Sequence, residues 1–238
     1  MNNLSLWVLS AALIALPVSG MAAAYEAGDV KDGGTISGSV KYKGSAPAPK
    51  KLDVNKDKEV CGKSPKMDQS LVVNNGNLAN AVVMVTDVKK GKKIDTKKVT
   101  LDQKECEYHP HVLAFPAGST IEILNPDGIL HNIHSYSKVN SPFNQAQPKF
   151  KKTLDVKIDK PEVIEVKCDV HSWMHGWLVA TENPYSAVTD NSGNFKLTDV
   201  PPGTYNIEVW HEKLGKSAQK VTVKAKEEAK VNFEVAGK

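Results

Sequence analysis

The chain has 238 residues and a formal net charge of +4, and 40% of its residues are hydrophobic. This length suits one large domain or two small ones, with enough apolar content for substantial cores. All 31 basic residues are lysines. Because arginine is the usual residue for bidentate recognition of phosphate and guanine, its absence argues against a nucleic-acid-binding function.

Residues 1–24 are typical of a secretory signal peptide. Leu4 to Val18 is a short apolar run, and Met21-Ala-Ala-Ala24 supplies the small residues of a cleavage site. The run is interrupted by Pro17 and is shorter than the roughly 20 residues that a spanning helix needs. We therefore expect a periplasmic or secreted protein without a membrane anchor.

Short alternating runs separated by Gly, Pro, Asn and Asp dominate the rest of the chain, which predicts an all-β fold. Gly34–Tyr42 and Leu78–Thr86 are the first predicted strands. A basic run follows them and is typical of a solvated hairpin turn. The alternative is a docking patch for an acidic redox partner. Its lysines are Lys89, Lys90, Lys92 and Lys93.

The middle of the chain contains several histidines on extended segments. His109-Pro-His111 either forms an accessory metal site or leaves His111 as an ordinary polar residue near Cys106. Further on, residues 117–125 read as a strand, and a Pro126-Asp-Gly turn leads into His131-Asn-Ile-His134. Side chains alternate along a strand, so His131 and His134 point to opposite sides and are not expected to share a metal ion.

The stretch Cys168-Asp-Val-His171-Ser-Trp-Met174 sets a thiol, an imidazole and a thioether in one short loop. Val163 to Cys168 reads as a strand that delivers the cysteine at its end. Soft sulfur together with imidazole suits copper, and a blue-copper centre adds a second histidine and a weak axial methionine. His131 is the candidate for that second histidine.

These segments resemble the cupredoxins, most closely amicyanin and plastocyanin. The resemblance rests on "PAGSTIEILNPDGILHNIHSY" and "IEVKCDVHSWMHGWLVA", which occur in the order that the family has. It implies a Greek-key β-sandwich with one type 1 copper bound by His131, Cys168, His171 and Met174. It also implies that Asn132 ties the two ligand segments together. Partners of these proteins dock where the second histidine emerges through an apolar patch. Trp173 is expected either to extend that patch around His171 or to cap the core.

Three cysteines leave one unpaired once a disulfide forms. If copper holds Cys168 as a thiolate, the expected disulfide joins Cys61 and Cys106. The alternative is that Cys168 is an ordinary buried thiol and another pair forms. Zinc is a rival metal, but it would need four good nitrogen or sulfur donors.

The C-terminal third, "AVTDNSGNFKLTDVPPGTYNIEVWHE", resembles the carboxypeptidase regulatory-like domain, a small transthyretin-like β-sandwich. The pattern Gly-x-Ile-x-Gly-x-Val that opens this family occurs at Gly34 to Val40. We therefore divide the chain into residues 1–24, 25–180 and 181–238: a signal peptide, a cupredoxin-like domain with an N-terminal extension, and the second sandwich. The strand at 34–42 is the candidate for sharing between the two, so that the copper domain is an insertion.

The resulting hypothesis is an exported, non-enzymatic protein with a single type 1 copper that carries electrons between redox partners such as a cytochrome or a dehydrogenase. Docking is expected at the lysine run or at the surface around His171. Two alternatives remain open. One is a copper-binding or copper-delivery protein, and the other is a carbohydrate- or surface-binding sandwich without a redox role.

Overall fold

The computed structural model describes residues 25–237, and this part of the chain is built almost wholly of β-strands. The expected all-β fold is confirmed. The strands and the one short helix of the described residues are β1 (Glu26–Ala27), β2 (Gly34–Lys43), α1 (Lys58–Cys61), β3 (Val73–Asn74), β4 (Asn77–Leu78), β5 (Val82–Val85), β6 (Lys90–Gly91), β7 (Val99–Lys104), β8 (Glu107–His109), β9 (Val112–Pro116), β10 (Thr120–Leu124), β11 (His131–Ser135), β12 (Asn144–Gln147), β13 (Thr153–Lys157), β14 (Glu162–Lys167), β15 (His175–Thr181), β16 (Ser186–Val188), β17 (Asn194–Val200), β18 (Gly203–His211), β19 (Gly215–Val223), β20 (Glu228–Lys230) and β21 (Phe233–Ala236).

The first sandwich consists of two sheets whose strands all come from the middle of the chain. One sheet has the strand order β13-β10-β7-β8, and the other has the order β12-β11-β14-β15-β9. Alternation along β10 shows how they pack, because Ile121 and Ile123 are fully buried while the residues between and beside them are partly exposed. These two isoleucines join Ile133 and Ile164 of the facing sheet in one apolar core.

The second sandwich combines the two ends of the described chain. Its sheets have the orders β16-β5-β18-β19 and β17-β2-β4-β3, and β20 and β21 also pair with β2. Ile36 and Val40 of β2 share a buried core with Val83, Ile207 and Val209. The early strands β2 and β5 therefore lie in the C-terminal sandwich, and the strands of the first sandwich are inserted between them and the rest of that core.

Gly38 explains one part of the sequence pattern in β2. A Cβ atom at this position would lie 1.6 Å from the carbonyl oxygen of Val231, because the chain that leads from β20 to β21 crosses β2 closely there. Only glycine fits this approach of two backbones.

The two sandwiches meet through a small apolar cluster. Val82 and Trp210 of the second sandwich pack against Val112 and Val179 of the first. The rings of Trp177 and Trp210 make an edge contact, with centroids 5.2 Å apart. This cluster fixes the start of β15 relative to the end of β18. It therefore also sets the position of the side chains that follow Trp210 relative to the first sandwich.

Two sequence expectations concern segments outside these sandwiches. The predicted signal peptide, residues 1–24, lies outside the described residues. The lysine run is not a hairpin turn, since Lys90 and Gly91 form β6 and pair in parallel with Glu26 and Ala27. Among residues 25–237 no helix is long and apolar enough to cross a membrane.

One carboxylate anchors the loop that precedes β12 to the start of β14. Glu162 accepts hydrogen bonds from the hydroxyl of Ser137 and from the backbone N–H groups of Lys138 and Asn140. Burial raises the pKa of Glu162, but these hydrogen bonds outweigh it and lower the pKa to about 2. The ionised form is therefore favoured in the folded protein.

We expect Glu162→Gln to lower the free energy of unfolding at pH 7 by about 1 kcal/mol, discounted for solvent screening at this partly exposed site. Because the folded pKa lies below the usual value of 4.5, the contribution is present above pH 4.5 and is lost as pH falls towards 2. Urea denaturation between pH 7 and pH 3 measures the difference. Glu165→Gln, on the same strand and paired with Lys167, is the control. A wild-type advantage that stayed constant over this range would contradict the assignment.

Candidate metal centre

Neighbouring strand ends bring the predicted ligands together. His131 opens β11, and Cys168 follows the last residue of β14. These strands are antiparallel neighbours, with His134 opposite Lys167, so His131 and Cys168 lie at the same end of the sheet. A rigid sheet thus sets the separation between the two side chains.

The loop after Cys168 is folded tightly by its own backbone. The N–H of Cys168 donates to the carbonyl of Met174 at 3.1 Å, and the N–H of Met174 donates to the carbonyl of His171 at 2.9 Å. Cys168, His171 and Met174 are all buried, and Cys168 and Met174 belong to the core of the first sandwich.

Three donor atoms converge in this buried space. The Nδ1 atoms of His131 and His171 are 3.0 Å apart, and the Sγ of Cys168 lies 3.8 Å from Nδ1 of His171. One donor atom from each of the three residues lies within 4.8 Å of the others. The structure therefore assembles His131, Cys168 and His171 in one cluster, with the buried Met174 in the same loop.

Carboxylates hold the outer nitrogens of both imidazoles. Nε2 of His131 lies 2.9 Å from an oxygen of Asp127, and Nε2 of His171 lies 2.8 Å from an oxygen of Asp57. If each Nε2 carries a proton and donates to its carboxylate, each Nδ1 presents a lone pair towards the other. Two lone pairs at 3.0 Å repel each other unless a proton or a metal ion lies between them. Metal-binding histidines are oriented by partners of this kind, and the residues fit a cation site.

The local electrostatics favour a thiolate next to these imidazoles. Burial raises the pKa of Cys168, but hydrogen bonds with His131 and His171 outweigh it and lower the pKa to about 6 from 9.0. At His131, burial lowers the pKa, and hydrogen bonds with Asp127 and Cys168 more than reverse that effect. The lowered pKa of Cys168 and the raised pKa of His131 favour a thiolate beside a protonated imidazole, and a bound cation can take the place of that proton.

Asn132 joins the two ligand segments. Its side-chain oxygen accepts the N–H of Asp169 at 2.7 Å and lies 3.4 Å from the sulfur of Cys168. Its amide group donates to Asn144 and to the carboxylate of Asp169. The side chain thus holds the sulfur end of the loop against β11, whereas His134 turns away and pairs with Asp169 at 3.1 Å.

A segment from the N-terminal part of the chain covers His171. Asp57 precedes α1, and α1 ends at Cys61, whose disulfide with Cys106 is present with an S–S distance of 2.00 Å. The bridge closes a sequence separation of 45 residues. A loop of this size stabilises the folded chain by about 4 kcal/mol in the chain-entropy treatment. This segment, Asp57 with α1, is called the cover below, and the disulfide attaches it covalently to the first sandwich.

Trp173 completes the cover. Its ring lies 5.1 Å from the ring of His171, and its indole N–H donates to the carbonyl of Cys106 at 3.1 Å. His171 is consequently 0% exposed. The surface above it is formed by Asp57 and α1, and not by the edge of the imidazole that the family resemblance implies.

The lysine run has local partners that reduce its charge. Lys90 pairs with Glu26 at 2.8 Å. The ammonium of Lys92 donates to the carbonyl of Thr198 at 3.0 Å and lies 4.0 Å from Asp199. Two of the four lysines are therefore engaged in contacts within the chain.

Sequence reasoning did not find the two carboxylates of the cluster. Asp127 stands in the turn four residues before His131, and that spacing was a usable signal. Asp57 is separated from His171 by 114 residues, and no sequence pattern connects them.

Comparison with known proteins finds both the carboxypeptidase regulatory-like domain and cupredoxins. Residues 177–236 match the family model of the carboxypeptidase regulatory-like domain. Comparison with curated protein sequences gives no match.

Solved structures similar to the chain include an amicyanin, a purple cupredoxin and a copper-containing nitrite reductase, all at low identity. Amicyanin from Paracoccus versutus is 16% identical, with 35% of this chain and 80% of that chain covered and a TM-score of 0.32. A purple cupredoxin from Nitrosopumilus maritimus is 20% identical, with 35% and 99% covered and a TM-score of 0.31. A copper-containing nitrite reductase from Thermus scotoductus is 21% identical, with a TM-score of 0.35; the match covers 39% of this chain and spans only 24% of that enzyme.

We expect Asp57→Ala to expose His171 to reagents in solution, because the Asp57 carboxylate contacts its outer nitrogen. Diethyl pyrocarbonate labelling of the metal-free protein, followed by peptide mass spectrometry, measures this as the labelling of His171 relative to the exposed His109. We expect an increase of at least fivefold. Asp53→Ala, an exposed aspartate of the same segment, is the control. Equal labelling in the two variants would show that Asp57 does not cover the histidine.

Proposed function

We propose that this protein binds one copper ion through His131, Cys168, His171 and Met174 and uses it to carry single electrons between redox partners outside the cytoplasm. The observation that carries the proposal is the pair of imidazole Nδ1 atoms 3.0 Å apart beside the Cys168 sulfur. The Nε2 atoms of both imidazoles contact carboxylates, so the two Nδ1 atoms are the ones available to bind a cation.

The donor chemistry favours copper over other metals. A thiolate, two imidazoles and a thioether form the set that suits the Cu(I)/Cu(II) couple, since soft sulfur favours the reduced ion and imidazole supports both states. A structural zinc site would need four good nitrogen or sulfur donors, and a thioether is a poor substitute for the fourth. When bound, copper would supply the redox couple at this position.

The protein's own residues would keep the ligand geometry fixed. Asp127 and Asp57 orient the two imidazoles, and Asn132 holds the loop that carries Cys168. The ligands are buried, so water is excluded from them. Ligands that do not move between oxidation states keep reorganisation small, which supports electron carriage over turnover of a substrate.

A redox partner would contact the surface formed by Asp57 and α1, because the imidazole of His171 is not exposed. The Asp57 side chain is 37% exposed and touches His171, so it gives the shortest described contact from this ligand towards the surface. We propose that a redox partner docks over Asp57 and α1. The remaining charges of the lysine run, on Lys89 and Lys93, are a second docking candidate.

We expect titration of the purified protein with Cu(II) to give an intense thiolate-to-copper absorption band that saturates at one equivalent, with a matching EPR signal. Cys168→Ser should abolish the band, because the thiolate is its donor. His109→Ala, which removes an exposed imidazole outside the cluster, should leave band and stoichiometry unchanged. A band that survived in Cys168→Ser, or its absence from the wild type, would overturn the proposed site.

The covered histidine also favours a second candidate function, copper delivery. A protein that only transports copper needs no fast electron exchange, and a cover on His171 slows such exchange. In that case Cu(I) would leave for a competing chelator on opening of the cover.

Electron self-exchange separates the two functions. For a carrier, we expect NMR lines of the Cu(I) protein to broaden in proportion to added Cu(II) protein. The rate should rise with salt, since two molecules of net charge +4 repel each other. Transfer of Cu(I) to bicinchoninate is measured in parallel. Rapid copper transfer without concentration-dependent broadening would instead support delivery.

A further inference from the structure

A second cluster of metal-binding side chains lies where the two sandwiches meet. His111 directly precedes β9, His175 opens β15, and Glu212 directly follows β18. The two histidines therefore come from the first sandwich and the glutamate from the second. One donor atom from each lies within 4.8 Å of the others.

The carboxylate of Glu212 faces both imidazoles. One of its oxygens lies 2.5 Å from Nε2 of His111, and the other lies 3.8 Å from Nε2 of His175. The two rings are nearly perpendicular, with centroids 5.0 Å apart. The first contact is a hydrogen bond, but the second is too long for one.

The 3.8 Å contact between Glu212 and His175 is somewhat longer than the separation of two ligands of one ion. With metal–ligand bonds of about 2.1 Å and tetrahedral angles, two donor atoms are about 3.4 Å apart. The 2.5 Å hydrogen bond to His111 is shorter than this spacing, so binding of an ion would require the Glu212 carboxylate to move away from Nε2 of His111.

The negative charge of the buried Glu212 carboxylate also favours a cation at this cluster. The side chains of His111 and Glu212 are 7% and 6% exposed, and that of His175 is 24% exposed. Within residues 25–237, Glu212 has no lysine partner, and its ion pairs are with the two histidines. A carboxylate this deeply buried is costly unless a positive charge compensates it. A divalent ion would do so without requiring either imidazole to be protonated.

Space for one further ligand lies beside the two imidazoles. A cavity of about 20 Å³ is lined by residues that include Met67, Gln69, His111 and His175, whereas Glu212 does not line it. This volume accommodates about one water molecule. Three protein ligands and one water make up the coordination that zinc adopts at open sites.

We propose that His111, His175 and Glu212 bind a divalent cation of the zinc class at the junction of the two sandwiches. The donor set of two imidazoles and one carboxylate contains no sulfur, so it differs from the cluster around Cys168 and suits a harder ion. Sequence reasoning left open whether His111 forms an accessory metal site with His109 or is an ordinary polar residue. His109 is exposed on β8 and does not belong to this cluster. The third ligand comes from the other sandwich.

Zinc binding measured on a Cys168→Ser background tests the proposal, because that reference protein lacks the sulfur donor of the other cluster. We expect isothermal titration with Zn²⁺ to show a site whose affinity falls at least tenfold in Cys168→Ser/Glu212→Gln. The matched control is Cys168→Ser/Glu208→Gln, which changes a carboxylate on β18 that pairs with Lys216 instead. Its affinity should equal that of the reference.

A second variant and a direct probe keep the test decisive. His175→Ala, at the most exposed ligand, should reduce zinc affinity as Glu212→Gln does even if the latter folds poorly. X-ray absorption at the zinc edge should show nitrogen and oxygen ligands with imidazole scattering. Zinc affinity unchanged by both substitutions would assign any bound zinc to His131 and His171 and overturn the proposal, and so would the absence of zinc binding. Neither result depends on whether copper binds at Cys168.

Discussion

Two imidazole nitrogens 3.0 Å apart in a buried space are the constraint around which the first sandwich is organised. When both nitrogens present lone pairs, the pair is repulsive unless a proton or a metal ion lies between them, so the surrounding residues must hold both rings in place. Asp127 and Asp57 do so from outside, and Asn132 fixes the loop from the side. The contact also depends on α1, because Asp57 precedes this helix and the disulfide at Cys61 ties its end to the sandwich.

The parts of this arrangement that sequence alone predicted are those encoded locally. Cys168, His171 and Met174 lie within seven consecutive positions after a strand, and alternation along the segment separated His131 from His134. The disulfide followed only conditionally, from the assumption that Cys168 stays free. Asp57 was out of reach because its contact with His171 spans 114 residues and depends on the path of an irregular segment.

Other failures of prediction have the same physical origin. The polar composition of the lysine run predicts a turn, yet Lys90 and Gly91 pair with Glu26 and Ala27, residues that carry no strand signal of their own. The cluster of His111, His175 and Glu212 lies beside the contact between Trp177 and Trp210, which brings the end of β18 close to the start of β15. Local patterns specify strands and their faces, whereas contacts between sandwiches depend on packing that no short window contains.

The path of β2 has a consequence for the order in which the chain acquires structure. Ser39 bonds to Asn232, 193 residues further on, while every strand of the first sandwich lies between residues 99 and 181. Closing a long loop costs entropy before any contact repays it, so distant pairings form late. During synthesis the inserted sandwich can collapse as a unit while β2 still waits for its neighbours. The apolar face of β2, with Ile36 and Val40, therefore remains incompletely shielded until Ile207 and Val209 of β18 emerge, and this is the interval in which a nascent chain most needs protection from aggregation.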